Sequence, residues 1–542
     1  MSIASLLATV RPSVTTSHYR VPGLVTVYGG SAPSTCRTAA AAYRCFATTS
    51  LCRSEQESSV AIVGGGAAGF YTAARLLAKT KNTRVDIFEQ LPTPHGLVRY
   101  GVAPDHPEVK NCMGKFDEVA QDPRVRLFAN VHVGGTGERK ATVSLDALRS
   151  AYDGVVLAYG ASRDRKLGVP GEDGNGQGRL GVVSARLFVA WYNGLPEAQD
   201  LAVDLSSYDR VVIVGHGNVA LDCARILLTD PDVLAQTDIT SRAVEVLRKS
   251  RVRHVDMVGR RGPLQVAFTT KELREMTKIP GLQIICDRDL VGSECTAGKA
   301  LLESSRPLKR MMDLLLKHAV DIKEAAKPKQ GGEEAKKTFT LRFLMSPKQV
   351  LFDQKPVGNG SLLDDSVPPQ VVRFALNRLE GPAESAKAVD TGKEMDLPCS
   401  MALRSIGYAS TPLVGAPFDK VRNIVPNVAG RVVDSEGELV SGLYAAGWVK
   451  RGPVGVIATT MQDAYRTADA IAVDINNGSI VQENKSKVDN VLEEAGIGSL
   501  DIVTSEDWKR LEEHEFGLGK QKGKPREKIT DVEEMLRIIR NK

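Results

Sequence analysis

The chain has 542 residues, 42% of them hydrophobic and 25% charged. That is enough for roughly two to four domains and excludes a mainly disordered or collagen-like chain. The formal charge of +6 is concentrated at one end: residues 1–53 hold five arginines and no Asp or Glu, so the basic balance is no sign of nucleic-acid binding. No uncharged apolar run reaches the roughly 18 residues that a membrane-crossing helix needs.

The N-terminal segment is rich in Ser, Thr, Ala and Arg, with Ile3, Leu6, Leu7 and Val10 at helical spacing. An amphipathic, acid-free, Arg-rich start predicts an organelle transit peptide rather than a secretory signal. Arg44-Cys45-Phe46-Ala47-Thr48-Thr49-Ser50 resembles a mitochondrial cleavage site, placing the mature start near Ser54. Of eight cysteines, Cys36, Cys45 and Cys52 fall in this segment, and Cys112, Cys223, Cys286, Cys295 and Cys399 lie beyond it. None forms a Cys-x-x-Cys pair, so no disulfide framework, zinc site or iron–sulfur ligand set is predicted, and no metal.

Val60-Ala61-Ile62-Val63 is a β-branched apolar run that predicts a buried strand. Gly64-Gly65-Gly66-Ala67-Ala68-Gly69 follows at once, and Phe70 to Lys79 reads as helix. This is G-x-G-x-x-G between a strand and a helix, where glycines let the backbone approach a pyrophosphate at a helix N-terminus. The next strand, Arg84 to Phe88, ends in Glu89, 20 residues past Gly69. A carboxylate there suits an unphosphorylated ribose, as in FAD or NAD. Gly154 to Ala161 reads as the strand by which the chain leaves this domain.

The pattern returns at Val211-Val212-Ile213-Val214, followed by Gly215-His216-Gly217-Asn218-Val219-Ala220 and a helix to Leu228. The next strand, Val255 to Val258, ends in Gly259-Arg260-Arg261-Gly262 instead of an acid. Two guanidinium groups at that position favour a 2′-phosphate, hence NADP. Between Arg242 and Arg310 there are 15 Lys/Arg against 8 Asp/Glu. Arg306 and Arg310 lie one helical turn apart on an amphipathic run. No aromatic residues interleave with these charges, which argues against nucleic acid. Residues 322–338, rich in Lys, Glu and Gly, read as a solvated loop. Gly442 to Trp448 reads as a returning apolar strand ending in small residues, with Gly452 and Gly455 before a long helix from Thr459 to Ile475.

The fold class predicted is α/β, with two Rossmann-like dinucleotide-binding domains of the glutathione-reductase plan, the NADP domain inserted in the FAD domain. The expected division is a transit peptide over 1–53, a discontinuous FAD-binding domain over 57–165 and 405–478, an NADP-binding domain over 166–404, and a C-terminal extension over 479–542.

The segments Leu97 to Asn111, Gly217 to Asp222, Val258 to Phe268 and Gly447 to Pro453 resemble the signatures of the mitochondrial adrenodoxin reductase family. The resemblance covers about residues 58–475 and places the extension after Gly478 beyond the animal form of the family. It implies non-covalent FAD, hydride from NADPH, and single electrons passed to a small acidic [2Fe–2S] ferredoxin serving iron–sulfur, haem or cytochrome P450 pathways. Location in the mitochondrial matrix is implied, without a transmembrane segment but with a place at the inner-membrane face open to it. Besides Gly64, Gly66 and Gly69 of the motif, it implies Ala68, Glu89, Leu97, Val133, Trp448, Gly455, Val456 and Ile457 at FAD. His216, Gly217, Asn218, Val219, Arg260, Arg261, Glu272 and Gly455 would contact NADP. His106 and Glu275 form its catalytic, nicotinamide-side pair, and Arg306 and Arg310 its ferredoxin-docking arginines. Two residues depart from the family pattern, Ala67 where Pro is frequent and His216 where Gln is. Other classes sharing this plan are a flavin disulfide reductase, which needs a redox cysteine pair, another NADPH-dependent flavoprotein, and a non-enzymatic nucleotide-binding protein.

Overall fold

A computed structural model describes residues 57–134, 141–174, 181–326, 337–352, 370–482 and 485–541. The expected transit peptide and its cleavage site lie outside the described residues. Two seven-stranded sheets organise the rest. The first runs Asn427–Val428, Arg431–Val433, Leu439–Ala445, Gly154–Leu157, Ser58–Val63, Thr83–Glu89, Val125–Ala129. The strands from Leu439–Ala445 to Val125–Ala129 are parallel, and the two short strands at the other edge are antiparallel. Parallel strands are covered on both faces and need apolar residues at every position, which Val60, Ala61, Ile62 and Val63, all buried, supply.

From Ser58–Val63 the chain moves to one side to build Thr83–Glu89 and Val125–Ala129, then returns on the other side as Gly154–Leu157. That reversal leaves a crevice at the C-terminal strand ends, where open α/β sheets take ligands.

The second sheet repeats the device, with all neighbours parallel. Its order is Val320–Asp321, Leu282–Cys286, Lys337–Arg342, His254–Val258, Arg210–Val214, Met401–Arg404, Val182–Ser184. The reversal lies between Arg210–Val214 and Met401–Arg404. A three-stranded antiparallel sheet, Met345–Phe352, Gln370–Glu380 and Lys387–Cys399, packs Val350, Val372, Phe374 and Leu397 against Val212, Val214 and Val258. Helices pack Phe188, Ile226, Leu247 and Leu315 with Ile213 and Met257. The two segments linking the sheets run together as an antiparallel ribbon, Arg163–Asp164 with Tyr408–Ala409.

The helix Ile457–Asn476 returns to the first sheet and lies along Ala67–Lys79, joined by a bidentate Arg75–Asp469 pair at 2.8 and 3.0 Å. The expected loop over 322–338 is shorter than the sequence suggests. Ile322–Ala325 is a helical turn and Lys337–Arg342 a parallel strand, while 327–336 lie outside the described residues. Charged neighbours masked a β-forming core run in which Phe339, Thr340 and Leu341 are buried.

Beyond Gly478 come the helices Val488–Glu494, Ser505–Gln521 and Val532–Arg540. Trp508, Leu511, Met535 and Ile539 join Val60, Phe70 and Ile471 in one core, so the extension is a packed layer of the first sheet. Among the described residues no helix is long and apolar enough to cross a membrane.

Candidate functional site

The first glycine turn is shaped by close approach. Gly64 has φ +115°, and a Cβ there would sit 2.7 Å from the carbonyl oxygen of Ala158, the residue just past the strand Gly154–Leu157 across the reversal. A Cβ on Gly69 would stand 2.1 Å from the Gly64 carbonyl oxygen, so helix and strand meet only with glycine there. At Gly66 a Cβ would meet nothing within 4 Å. The helix Ala67–Lys79 starts there without a side-chain cap, so no capping side chain takes up its first N–H groups.

Glu89 is buried at the end of the neighbouring strand. Its Oε2 accepts the Gly65 N–H at 2.9 Å and its Oε1 the Leu91 N–H at 3.1 Å. Burial pushes the carboxyl up to about 7, against the pull of those donors. This open cradle, ending in a buried carboxylate with lone pairs to spare, fits the pyrophosphate and ribose of an unphosphorylated dinucleotide.

The other residues expected around this cradle come from three further segments. Gly447 packs so closely on Ala68 that a Cβ would lie 2.5 Å from the alanine methyl. This draws Trp448 to the helix start, where its ring tilts against Tyr408 at 5.3 Å. Leu97 is partly exposed on the short helix Gly96–Tyr100, and Val133 is buried on the strand His132–Val133. Gly455 and the exposed Val456 precede Ile457, the first residue of another helix without a side-chain cap.

The second turn follows the same rules. Gly215, at φ +129°, approaches the Ser405 carbonyl so closely that a Cβ would lie 2.2 Å from its oxygen. Gly217 opens onto space free of protein atoms within 4 Å, and Asn218 begins an uncapped helix. The Asn218 side chain accepts the Thr269 N–H at 2.8 Å.

The His216 ring packs inward against Phe268 and Phe343, with Nε2 3.0 Å from the Met257 carbonyl. Burial lowers its pKa to about 4, so it is a neutral packing group at physiological pH. It fills the space a Gly259 side chain would need, since a Cβ there would lie 2.3 Å from Nδ1. Arg260 is exposed and Arg261 half-buried beside the turn. Arg261 donates weakly to the Gln265 carbonyl at 3.5 Å. The open turn with two adjacent guanidinium groups fits a dinucleotide carrying an extra phosphate.

Between the turns lies a network that the sequence shows only in part. His106 Nε2 is 2.6 Å from Glu275 Oε2. Glu275 and Glu272 share the helix Thr270–Met276. Arg225, on the helix after the second turn, joins Asp105 at 2.5 Å, Asp222 at 2.7 Å and Glu272 at 3.3 Å. Burial raises the Asp222 and Glu272 carboxyls, with Arg225 opposing. Arg225 and Asp105 were not singled out in the sequence. A lone helical Arg reads as a surface residue, and its partner lies 120 positions away.

Arg306 and Arg310 are exposed at the start of the helix Arg306–His318. The Thr270 hydroxyl donates to the Pro307 carbonyl at 3.3 Å, so this helix adjoins the one carrying Glu272 and Glu275.

Residues 58–279 match the family model described as pyridine nucleotide-disulphide oxidoreductase. The NADPH:adrenodoxin oxidoreductase, mitochondrial, of Bos taurus is 45% identical over 493 residues, covering 90% of this chain and 92% of the relative. That of Homo sapiens is 46% identical over 490 residues, with the same coverage. The chain belongs to the NADPH:adrenodoxin oxidoreductase family. A solved structure of Mycobacterium tuberculosis FprA in complex with NADPH superposes with a TM-score of 0.76 at 36% identity, covering 89% of this chain and 100% of that one. The mammalian family members correct one expectation: their match spans more of this chain than residues 1–478 supply, so it runs into the extension rather than stopping before it.

Proposed function

We propose that this protein is a mitochondrial FAD-dependent enzyme that oxidises NADPH and reduces a small [2Fe–2S] ferredoxin of the adrenodoxin type. The observation that carries the reading is the contrast between two otherwise matching glycine turns. One ends in the buried Glu89 carboxylate and the other in Arg260 and Arg261. Gly64, Gly66, Ala68, Gly69, Glu89, Leu97, Val133, Trp448, Gly455, Val456 and Ile457 would hold FAD. His216 to Val219, Arg260, Arg261, Glu272 and Gly455 would hold NADPH. When bound, FAD accepts a hydride from the nicotinamide and releases its electrons singly.

The chain's own residues contribute placement. Uncapped helix starts offer N–H groups to the phosphates. Glu89 accepts ribose hydroxyls, and the arginines pair with the 2′-phosphate. His106 and Glu275, linked through the Arg225 network, orient the nicotinamide side, because hydride transfer depends on alignment more than on acid–base help. The division into an FAD domain (57–165 and 405–478), an NADP domain (166–404) and an extension (479–542) is part of this reading. So are the transit peptide, a matrix location and peripheral contact with the inner-membrane face.

A disulfide-reductase reading is disfavoured. The five described cysteines are free, and burial raises the Cys223, Cys286 and Cys399 thiols, the reverse of an activated pair. The test is anaerobic titration of the purified protein. Flavin absorbance bleached by NADPH without added thiol, with cytochrome c reduced only when ferredoxin is supplied, is expected. Absence of flavin, or a requirement for a disulfide substrate, overturns the proposal.

A further inference from the structure

The turn that covers the first cradle is held in an unfavourable backbone conformation. His95 has φ +79°, a left-handed value that costs a residue bearing a Cβ about 1 kcal/mol or more. Its N–H donates to the Gly65 carbonyl at 2.7 Å, and the next residue, Gly96, lies over Gly66. Something must hold this turn in place.

The His95 ring is fully buried, and neither ring nitrogen makes a well-aligned hydrogen bond. Nε2 does lie 3.0 Å from Asp117 Oδ1. The same Oδ1 accepts the indole N–H of Trp508 at 3.1 Å, and the indole packs edge-on against the His95 ring at 5.6 Å. Trp508 belongs to the helix Ser505–Gln521 of the extension. That helix is anchored by Glu515, fully buried, which accepts from Arg99 at 2.5 Å. The Arg99 guanidinium sits over the rings of Tyr100 and Trp508 at 5.0 and 5.1 Å.

We propose that Trp508 is a positioning residue for the dinucleotide cradle: through Asp117 it fixes His95, and His95 fixes the backbone of Gly65 and the cover at Gly96. The extension thereby controls flavin retention, an inference that rests on the FAD reading above. Asp117 is the joint, because one oxygen meets both partners, so losing either contact disconnects the turn from the extension. A bulky core residue without this role would affect stability alone.

The test is a double-mutant cycle on flavin affinity. Apoprotein of wild type, Trp508→Phe, Asp117→Ala and the double variant is titrated with FAD by flavin fluorescence, with NADPH binding and apoprotein melting measured in parallel. Trp508→Phe keeps an aromatic ring but loses the indole N–H together with part of the ring volume, a packing loss that the apoprotein melting curve registers separately, and Asp117→Asn serves as the milder change at the joint. Each single variant is expected to weaken FAD by about five- to tenfold, the net size of one ordinary hydrogen bond lost. The double variant is expected to be no weaker than the worse single, since both cut one relay. NADPH affinity should stay within about twofold of wild type. Unchanged FAD affinity in Trp508→Phe overturns the proposal. So do single effects that multiply in the double variant, or an equal fall in NADPH affinity, which would mark general loss of structure. Wild-type apoprotein that binds no FAD would overturn the cofactor reading and this inference with it. Tight FAD in every variant would overturn this inference alone.

Discussion

Glu89 carries the sharpest residue-scale consequence. Burial raises its carboxyl to about 7 in the protein without ligand, so the neutral form is favoured there. A raised pKa means this group's contribution to apoprotein stability is present below the ordinary value near 4.5 and is lost as pH rises through 7, a loss of about 3 kcal/mol. Ribose hydroxyls donate to the anion and reverse the preference. FAD binding therefore requires a proton to leave below pH 7, and affinity should fall up to about tenfold per unit as pH drops from 7 to 5.5. Titrations of apoprotein across that range check this, and Glu89→Gln should bind more weakly and flatten the profile. The arginine pair makes the matching prediction for the second site. Arg260→Ala with Arg261→Ala should raise the NADPH KM by about 100-fold or more and leave the NADH KM nearly unchanged, each charge-assisted bond contributing roughly 1.5–3 kcal/mol. Equal effects on both nucleotides would show that the pair does not read the 2′-phosphate. Glu89 was legible because the spacing after a glycine turn is set by one helix and one strand. Arg225 was not, because a buried charge is recognised only by partners the fold brings to it.

At the scale of elements, each glycine turn divides its work between two kinds of glycine. Gly215 is demanded by the fold, since its φ of +129° and the nearby Ser405 carbonyl exclude a methyl group. Gly217 has ordinary backbone angles and open space around it, so only a ligand makes a side chain costly there. Gly215→Ala should therefore destabilise the fold by about 1–3 kcal/mol of strain and more from the clash, read as a lower melting temperature. Gly217→Ala should melt like wild type yet bind NADPH far more weakly, because its methyl occupies the approach to the phosphates. Melting curves beside NADPH titrations separate the two. If Gly217→Ala binds normally, the phosphates lie elsewhere. The strand–turn–helix units were legible because β-branched runs abut glycines, two strong local signals. The parallel strand Lys337–Arg342 was not, because charged neighbours hid its short core run. The packing of the extension was equally hidden, since Arg99 and Glu515 are separated by 416 positions.

Across the whole molecule, the proposed function assigns hydride entry and electron exit to different surfaces, and this makes the docking face testable. The second glycine turn, the proposed NADPH site, lies at the C-terminal end of the strand Arg210–Val214. Arg306 and Arg310 project from an exposed helix start next to the helix bearing Glu272 and Glu275. Neither arginine forms an ion pair with a described residue, which leaves both charges available to a partner. Charges at the rim of an interface mainly set the encounter rate and its salt dependence. Transfer to ferredoxin by wild type should slow as ionic strength rises, because the Debye length falls from about 30 Å at 0.01 M to about 10 Å at 0.1 M. Arg306→Glu with Arg310→Glu should impair ferredoxin-dependent cytochrome c reduction and lose most of that salt sensitivity, since its face no longer attracts an acidic partner. Ferricyanide, a small acceptor that needs no docking face, should still be reduced by NADPH near the wild-type rate, because these side chains stand outside both cradles. Rates for the two acceptors across a salt series decide the matter. A double variant with an unaltered salt slope toward ferredoxin would place the docking face on another surface, and equal loss with ferricyanide would show damage to the nucleotide sites instead.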